Sequence, residues 1–152
     1  MLVRYFAQPF QIRDIADEKL SKYPSHRIHG DCHCGNIIWS FDDEPTFVDF
    51  DDMMIGPAVQ DLWMILRGRE ALDEANKQEF LKAYSFFREF DMSSLELIEA
   101  LRGMRMIHYS AWIAERWKDP SFPRYFPNFG SPSYWQEEVE ALRDVLERLH
   151  QV

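Results

Sequence analysis

Cysteine is scarce in this chain: Cys32 and Cys34 are the only two among 152 residues, and a single residue separates them. That spacing is too short for an ordinary stabilising disulfide, so a disulfide-stapled secreted scaffold is excluded and a reducing compartment, the cytoplasm, is expected. Long apolar runs are lacking as well. No stretch approaches the roughly 18 consecutive apolar residues of a transmembrane helix, and residues 1–10 carry neither the extended apolar core nor the small-residue cleavage site of a secretory signal. No membrane partner is expected. Basic residues are in deficit, with 17 Lys and Arg against 26 Asp and Glu for a formal net charge of -9, and no local basic stripe overrides the balance. Such a chain repels phosphate backbones, which removes nucleic acid as a partner. Internal repeats and low-complexity linkers are missing too.

What is present is a globular composition, 46% apolar and 15% aromatic, in a length that makes one ordinary domain, residues 1–152, with a sizeable core. The chain is organised around Arg27-Ile28-His29-Gly30-Asp31-Cys32-His33-Cys34-Gly35-Asn36, followed by Ile37-Ile38-Trp39 and then Thr46-Phe47-Val48-Asp49-Phe50-Asp51-Asp52. Residues 37–39 and 46–50 are β-branched or aromatic, and Phe41-Asp42-Asp43-Glu44-Pro45 between them is a turn cluster, so the pair reads as a hairpin. Asp31 and Asn36 then lie on the loop entering the hairpin and Asp49 at its exit. Three oxygen donors at one end of two adjacent strands suit a hard cation, and magnesium is usually held by one or two carboxylates together with substrate phosphates. The adjacent Asp51 and Asp52, read as extended, would point to opposite faces, so one faces the site and the other solvent.

His29-Gly30-Asp31-x-His33-x-x-Asn36 followed by Val48-Asp49-x-Asp51 resembles the signature of aminoglycoside phosphotransferase and choline kinase-like enzymes. With Gly56-Pro57-Ala58-Val59-Gln60-Asp61-Leu62-Trp63 beyond it, the pattern looks most like the bacterial stress response kinase A group, which phosphorylates protein serine and threonine. The resemblance implies an α+β, mainly helical fold: a protein-kinase-like C-lobe whose small β-hairpin carries the catalytic and metal residues. It implies a catalytic loop over residues 29–36, a metal motif over 49–52 and a helical subdomain over 61–152. Asp31 matches the catalytic Asp that accepts the proton of an attacking hydroxyl, and His29 the residue that orients the loop. Asn36 and Asp49 match the magnesium and nucleotide ligands, with Asp51 a weaker third, and Asp61 a buried Asp that supports the loop. A helix N-cap is the plainer reading of Asp61. The implied cofactors are Mg2+ and ATP, and the implied acceptor is a protein hydroxyl or a small alcohol.

The same resemblance implies parts that this sequence does not show. Upstream of His29 there is no Gly-rich phosphate loop and no Lys-bearing strand of the Val-Ala-Ile-Lys type, so the N-lobe is expected to be absent. The chain is accordingly expected to be a catalytic lobe with little turnover by itself, to pair with a separately encoded N-lobe, or to persist as a non-catalytic interaction module. A zinc module built from His26, His29, Cys32, His33 and Cys34 is a further alternative, since thiolate and imidazole are zinc ligands.

The flanking chain reads as helical. Residues 11–23 predict a helix ahead of Pro24 with Ile12, Ile15 and Leu20 inward, and residues 52–60 predict a loop at the Gly56-Pro57 step. Asp73 predicts a cap for a helix presenting Phe80, Leu81, Tyr84 and Phe87. Ser93 with Glu96, and Ser133 with Gln136, predict capping boxes for two further helices. Their core faces are Leu97, Leu101, Met104, Ile107, Ala111 and Trp112, then Trp135, Val139, Leu142, Leu146 and Leu149. Between these helices, four prolines from Pro120 to Pro132 predict an aromatic-rich loop rather than a regular helix, packed over its neighbours or walling a substrate cleft. Arg102, Arg105 and Arg116 are expected to solvate a helix face.

Overall fold

In a computed structural model that describes residues 7–66 and 71–151, short strands occupy one stretch of a largely helical chain. The order is α1 (Ala7–Leu20), β1 (His26–Ile28), β2 (Ile37–Trp39), β3 (Pro45–Phe47), β4 (Met54–Gly56), α2 (Val59–Ile65), α3 (Ala71–Phe87), α4 (Ile98–Glu115), α5 (Ser121–Tyr125) and α6 (Pro132–Leu149). Single 3-10 segments, Cys34–Asn36 and Met92–Leu97, precede β2 and α4. The protein is thus a mainly helical α+β fold. Among the described residues no helix is long and apolar enough to cross a membrane. The chain divides into two compact units, residues 7–20 with 99–151, and Ser21–Ile98.

The first unit is helical. Ile12 and Ala16 of α1, Ala100 of α4, and Leu142, Val145, Leu146 and Leu149 of α6 form its core. Gly103 of α4 sits where a Cβ would press on the fully buried Ile12 and Val145, so the missing side chain lets the three helices close. α1 begins at Ala7, earlier than the predicted helix, because Pro9 falls in the first turn, where no backbone N–H is required. In α4 the buried line ends on Ile113 while Ala111 is exposed, and in α6 the core starts at Val139 with Trp135 half-exposed.

Neither expected capping box forms. Asp91 caps the 3-10 turn by accepting from Ser93 N, and Ser131 caps α6 by accepting from Tyr134 N ahead of Pro132. Each cap lies two residues earlier than expected because the turn preceding the helix fixes the backbone, and several neighbouring side chains are equally competent. α5 also corrects the reading of the proline-rich stretch. Its single helical turn tolerates Pro123 because the first N–H groups of a helix are unbonded anyway, and Asp119 accepts from Ser121 N at 2.9 Å. The aromatic residues there pack on one another: Phe122 and Phe126 against Trp112, and Phe129 against Trp117, Tyr134 and Trp135.

The second unit carries both sheets, each of two antiparallel strands. β2 pairs with β3 in the register Ile37↔Phe47 and Trp39↔Pro45, the expected hairpin. Its second strand, however, stops at Phe47 instead of running to Phe50. Asp49 has φ 65, a left-handed conformation that cannot continue a strand. β1 pairs with β4, with His26 opposite Gly56 and Ile28 opposite Met54, so part of the expected 52–60 loop is a strand. Helix α3 is described from Ala71, so Asp73 lies within it rather than ahead of it. The Asp73 side chain lies outside the described residues. At the other end Phe87 points to solvent and Phe90 is buried in its place, edge-on to Tyr84 at 5.7 Å.

Candidate active site

β1 delivers the chain into residues 29–36, and α2 holds the start of that loop. The Asp61 carboxylate accepts from His29 N at 2.8 Å and from Gly30 N at 2.9 Å. Asp61 is the third residue of α2, which begins without a side-chain cap at Ala58, so the N-cap reading of Asp61 does not hold. One turn position earlier, Gln60 Nε2 donates to Gly30 O at 3.1 Å while its Oε1 accepts from Trp63 Nε1. Gly30 has φ 88, and a Cβ there would land on the Asp52 carbonyl oxygen at the approach to β4. Only glycine combines that backbone with that contact.

Beyond Gly30 the loop folds on itself. His33 Nδ1 accepts from Gly35 N at 2.9 Å, which leaves the Nε2 proton facing Asp31 Oδ2 at 3.4 Å. Asn36 is buried and donates through Nδ2 to Asp31 O at 3.0 Å, which leaves its amide oxygen as the atom available to a cation. Asp49 is brought to the same place by its neighbour. Val48 N donates to Asn36 O at 3.0 Å, and Val48 O meets His29 Nε2 at 2.9 Å. The hairpin base therefore ties His29 and Asn36 to Val48, the residue before Asp49. Phe50 lies over the His29 ring, with centroids 4.6 Å apart.

The residues expected as ligands, Asp31, Asn36 and Asp49, carry hard oxygen donors, two carboxylates and one amide. Their chemistry fits magnesium bound by one carboxylate, one amide and phosphate oxygens. Asp51 and Asp52 form an exposed turn closed by Met53 N to Phe50 O rather than the extended segment expected, so strand alternation does not sort them. The zinc alternative finds no geometry: among the described residues, no three His, Cys, Asp or Glu side chains group as metal ligands. Cys32 is buried while Cys34 is exposed. Burial, and next the nearby Asp61 charge, push the Cys32 thiol up to about 11. Residue-type reasoning did not find the supporting contacts of Gln60, His33 and the Val48 backbone. The spacing of Gln60 and Trp63 at i and i+3 on α2 was the only local cue.

A family model described as the phosphotransferase enzyme family matches residues 6–98. This chain belongs to that family. Stress response kinase A of Salmonella paratyphi A is 45% identical to it over 125 residues, which are 82% of this chain and 38% of the relative. A protein of Salmonella typhimurium named serine/threonine protein kinase RdoA shows the same identity and coverage. Stress response kinase A of Escherichia coli K12 is 50% identical over 113 residues, 74% of this chain and 34% of the relative. The chain thus matches little more than a third of the length of these curated relatives.

Proposed function

We propose that residues 29–61 form the catalytic and metal-binding half of an ATP-dependent phosphotransferase C-lobe that acts on hydroxyl groups. The observation that supports this reading is the Val48 bridge, in which the residue before Asp49 bonds Asn36 O and His29 Nε2, while Asp61 clamps the start of the loop bearing Asp31. Asp31 accepts the proton of the attacking hydroxyl, and His33 holds its carboxylate in orientation. Asn36 Oδ1 and Asp49 hold Mg2+, with Asp51, in the turn that follows, as a weaker third ligand. Bound there with ATP, the ion neutralises charge on the transferred phosphate. His29 positions the strand exit through the contact of its Nε2 with Val48 O. The left-handed Asp49 stores local strain, of a kind that concentrates at functional sites.

The acceptor is taken to be a protein serine or threonine, as the name of one relative suggests. A small alcohol is the alternative acceptor. By itself the 152-residue chain is expected to turn over ATP near background, because its sequence shows no phosphate-gripping glycine loop or paired lysine. Calorimetric titration of Mg-ATP into the chain, with Asp49→Ala in parallel, tests the half-site. Magnesium-dependent binding lost in Asp49→Ala is the expected result. Magnesium-dependent binding of equal strength in the variant would sink the ligand assignment.

A further inference from the structure

Away from the loop, the second unit has a cleft of about 120 Å3 lined by His26 at the start of β1, Arg88 just past α3, and walls from Pro57, Tyr84 and Phe90. Among the described residues, neither the His26 ring nor the Arg88 guanidinium has a hydrogen-bond or ion-pair partner. Two unpaired donors from different elements therefore line one small concavity. Asp91 also lines it, with Oδ1 accepting from Ser93 N and Ser93 Oγ, and Glu89 and Arg88 both reach the exposed rim.

We propose that this cleft binds a phosphoryl group, with Arg88 and His26 as its donors. A carboxylate is planar and can be satisfied by an Arg fork alone, whereas a tetrahedral oxyanion offers oxygens to donors arriving from separate elements. The volume admits a phosphate. Burial first, then the Arg88 charge, lower the proton affinity of His26, while Asp61 opposes them; an anion between His26 and Arg88 would reverse the balance. The site also touches both supports of the loop, since β1 runs from His26 into His29 and Pro57 precedes the helix that carries Asp61.

The test titrates inorganic phosphate, and separately a phosphoserine peptide beside its unphosphorylated form, into the 152-residue protein while the His26 ring resonances are followed by NMR. The expected result is a saturable shift that tightens as pH falls from about 8 to about 6, because protonated His26 adds charge. Arg88→Gln should weaken it roughly tenfold or more, and His26→Gln should flatten the pH dependence. Tighter binding of the phosphopeptide would support a phosphorylated segment as the source, and equal binding a free phosphate. Absence of a saturable change with both phosphorylated probes, equal binding of the unphosphorylated peptide, or unaltered affinity in Arg88→Gln would overturn the proposal.

Discussion

Asp61 shows how one side chain fixes a loop. Its two oxygens take the consecutive amides of His29 and Gly30, both buried positions that water does not readily satisfy. Asp61→Ala strands two buried donors and is expected to cost about 2–4 kcal/mol, with Asp61→Asn costing less because one acceptor survives. Urea unfolding measures this, and a loss under about 0.5 kcal/mol for the alanine variant would contradict it. The cysteines make a second case at this scale. Cys32 is protonated more firmly in the folded chain than in the unfolded one, so its contribution is complete below the ordinary thiol value of 9.0 and is lost as pH rises through about 11. At pH near 8, iodoacetamide should label exposed Cys34 while Cys32 reacts on the order of 100-fold more slowly until the chain is unfolded. Intact-mass time courses resolve the two. Rapid double labelling of folded protein would mean that Cys32 is accessible.

At the scale of elements, what was legible depended on whether the signal is local. The β2–β3 hairpin was legible because β-branched and aromatic runs flank a turn cluster, and the α6 stripe because Val139, Leu142, Leu146 and Leu149 keep helical spacing. The β1–β4 pair was not. His26 meets Gly56 across 30 residues, and strands of three residues leave no periodicity to read. The exchange of Phe87 for Phe90 at the end of α3 was hidden for a related reason, since the helix stops and the chain turns before the buried ring. Helix packing in the first unit carries a prediction of its own. Ser110 of α4 bonds Tyr134 and Glu138 of α6, and burial raises Glu138 above the ordinary carboxylate value against the opposing pull of the Ser110 bond. A raised acid contributes most when protonated, below its unfolded value, and loses that contribution as pH rises through the folded one. Glu138→Gln keeps an acceptor for Ser110 without the buried charge. It is expected to be neutral or stabilising by up to about 1 kcal/mol near pH 7, with the gain vanishing near pH 3. Denaturation curves at the two pH values check it, and a clear loss at pH 7 would show that the charged form is needed.

For the whole molecule, two features oppose each other. A formal net charge of -9 keeps copies apart, yet Ile38, Trp39, Phe41, Phe50, Met53, Met54 and Ile55 are large apolar residues left exposed within eighteen positions around the hairpin. Apolar side chains exposed singly are ordinary, but so many along one short stretch favour self-association. The sequence already placed these residues on short strands, a turn and the 52–60 loop. It could not tell which faces would be covered, because burial depends on partners distant in the chain. Long-range repulsion fades when salt shortens the screening distance to about 3 Å at 1 M, while apolar attraction does not. Self-association should therefore grow with protein concentration and with added salt, and Trp39→Lys together with Ile55→Lys should suppress it without altering the helical signal. Sedimentation velocity across a salt series reads this directly. A chain that stays monomeric at high salt and high concentration would mean that the exposed residues do not act as one adhesive face.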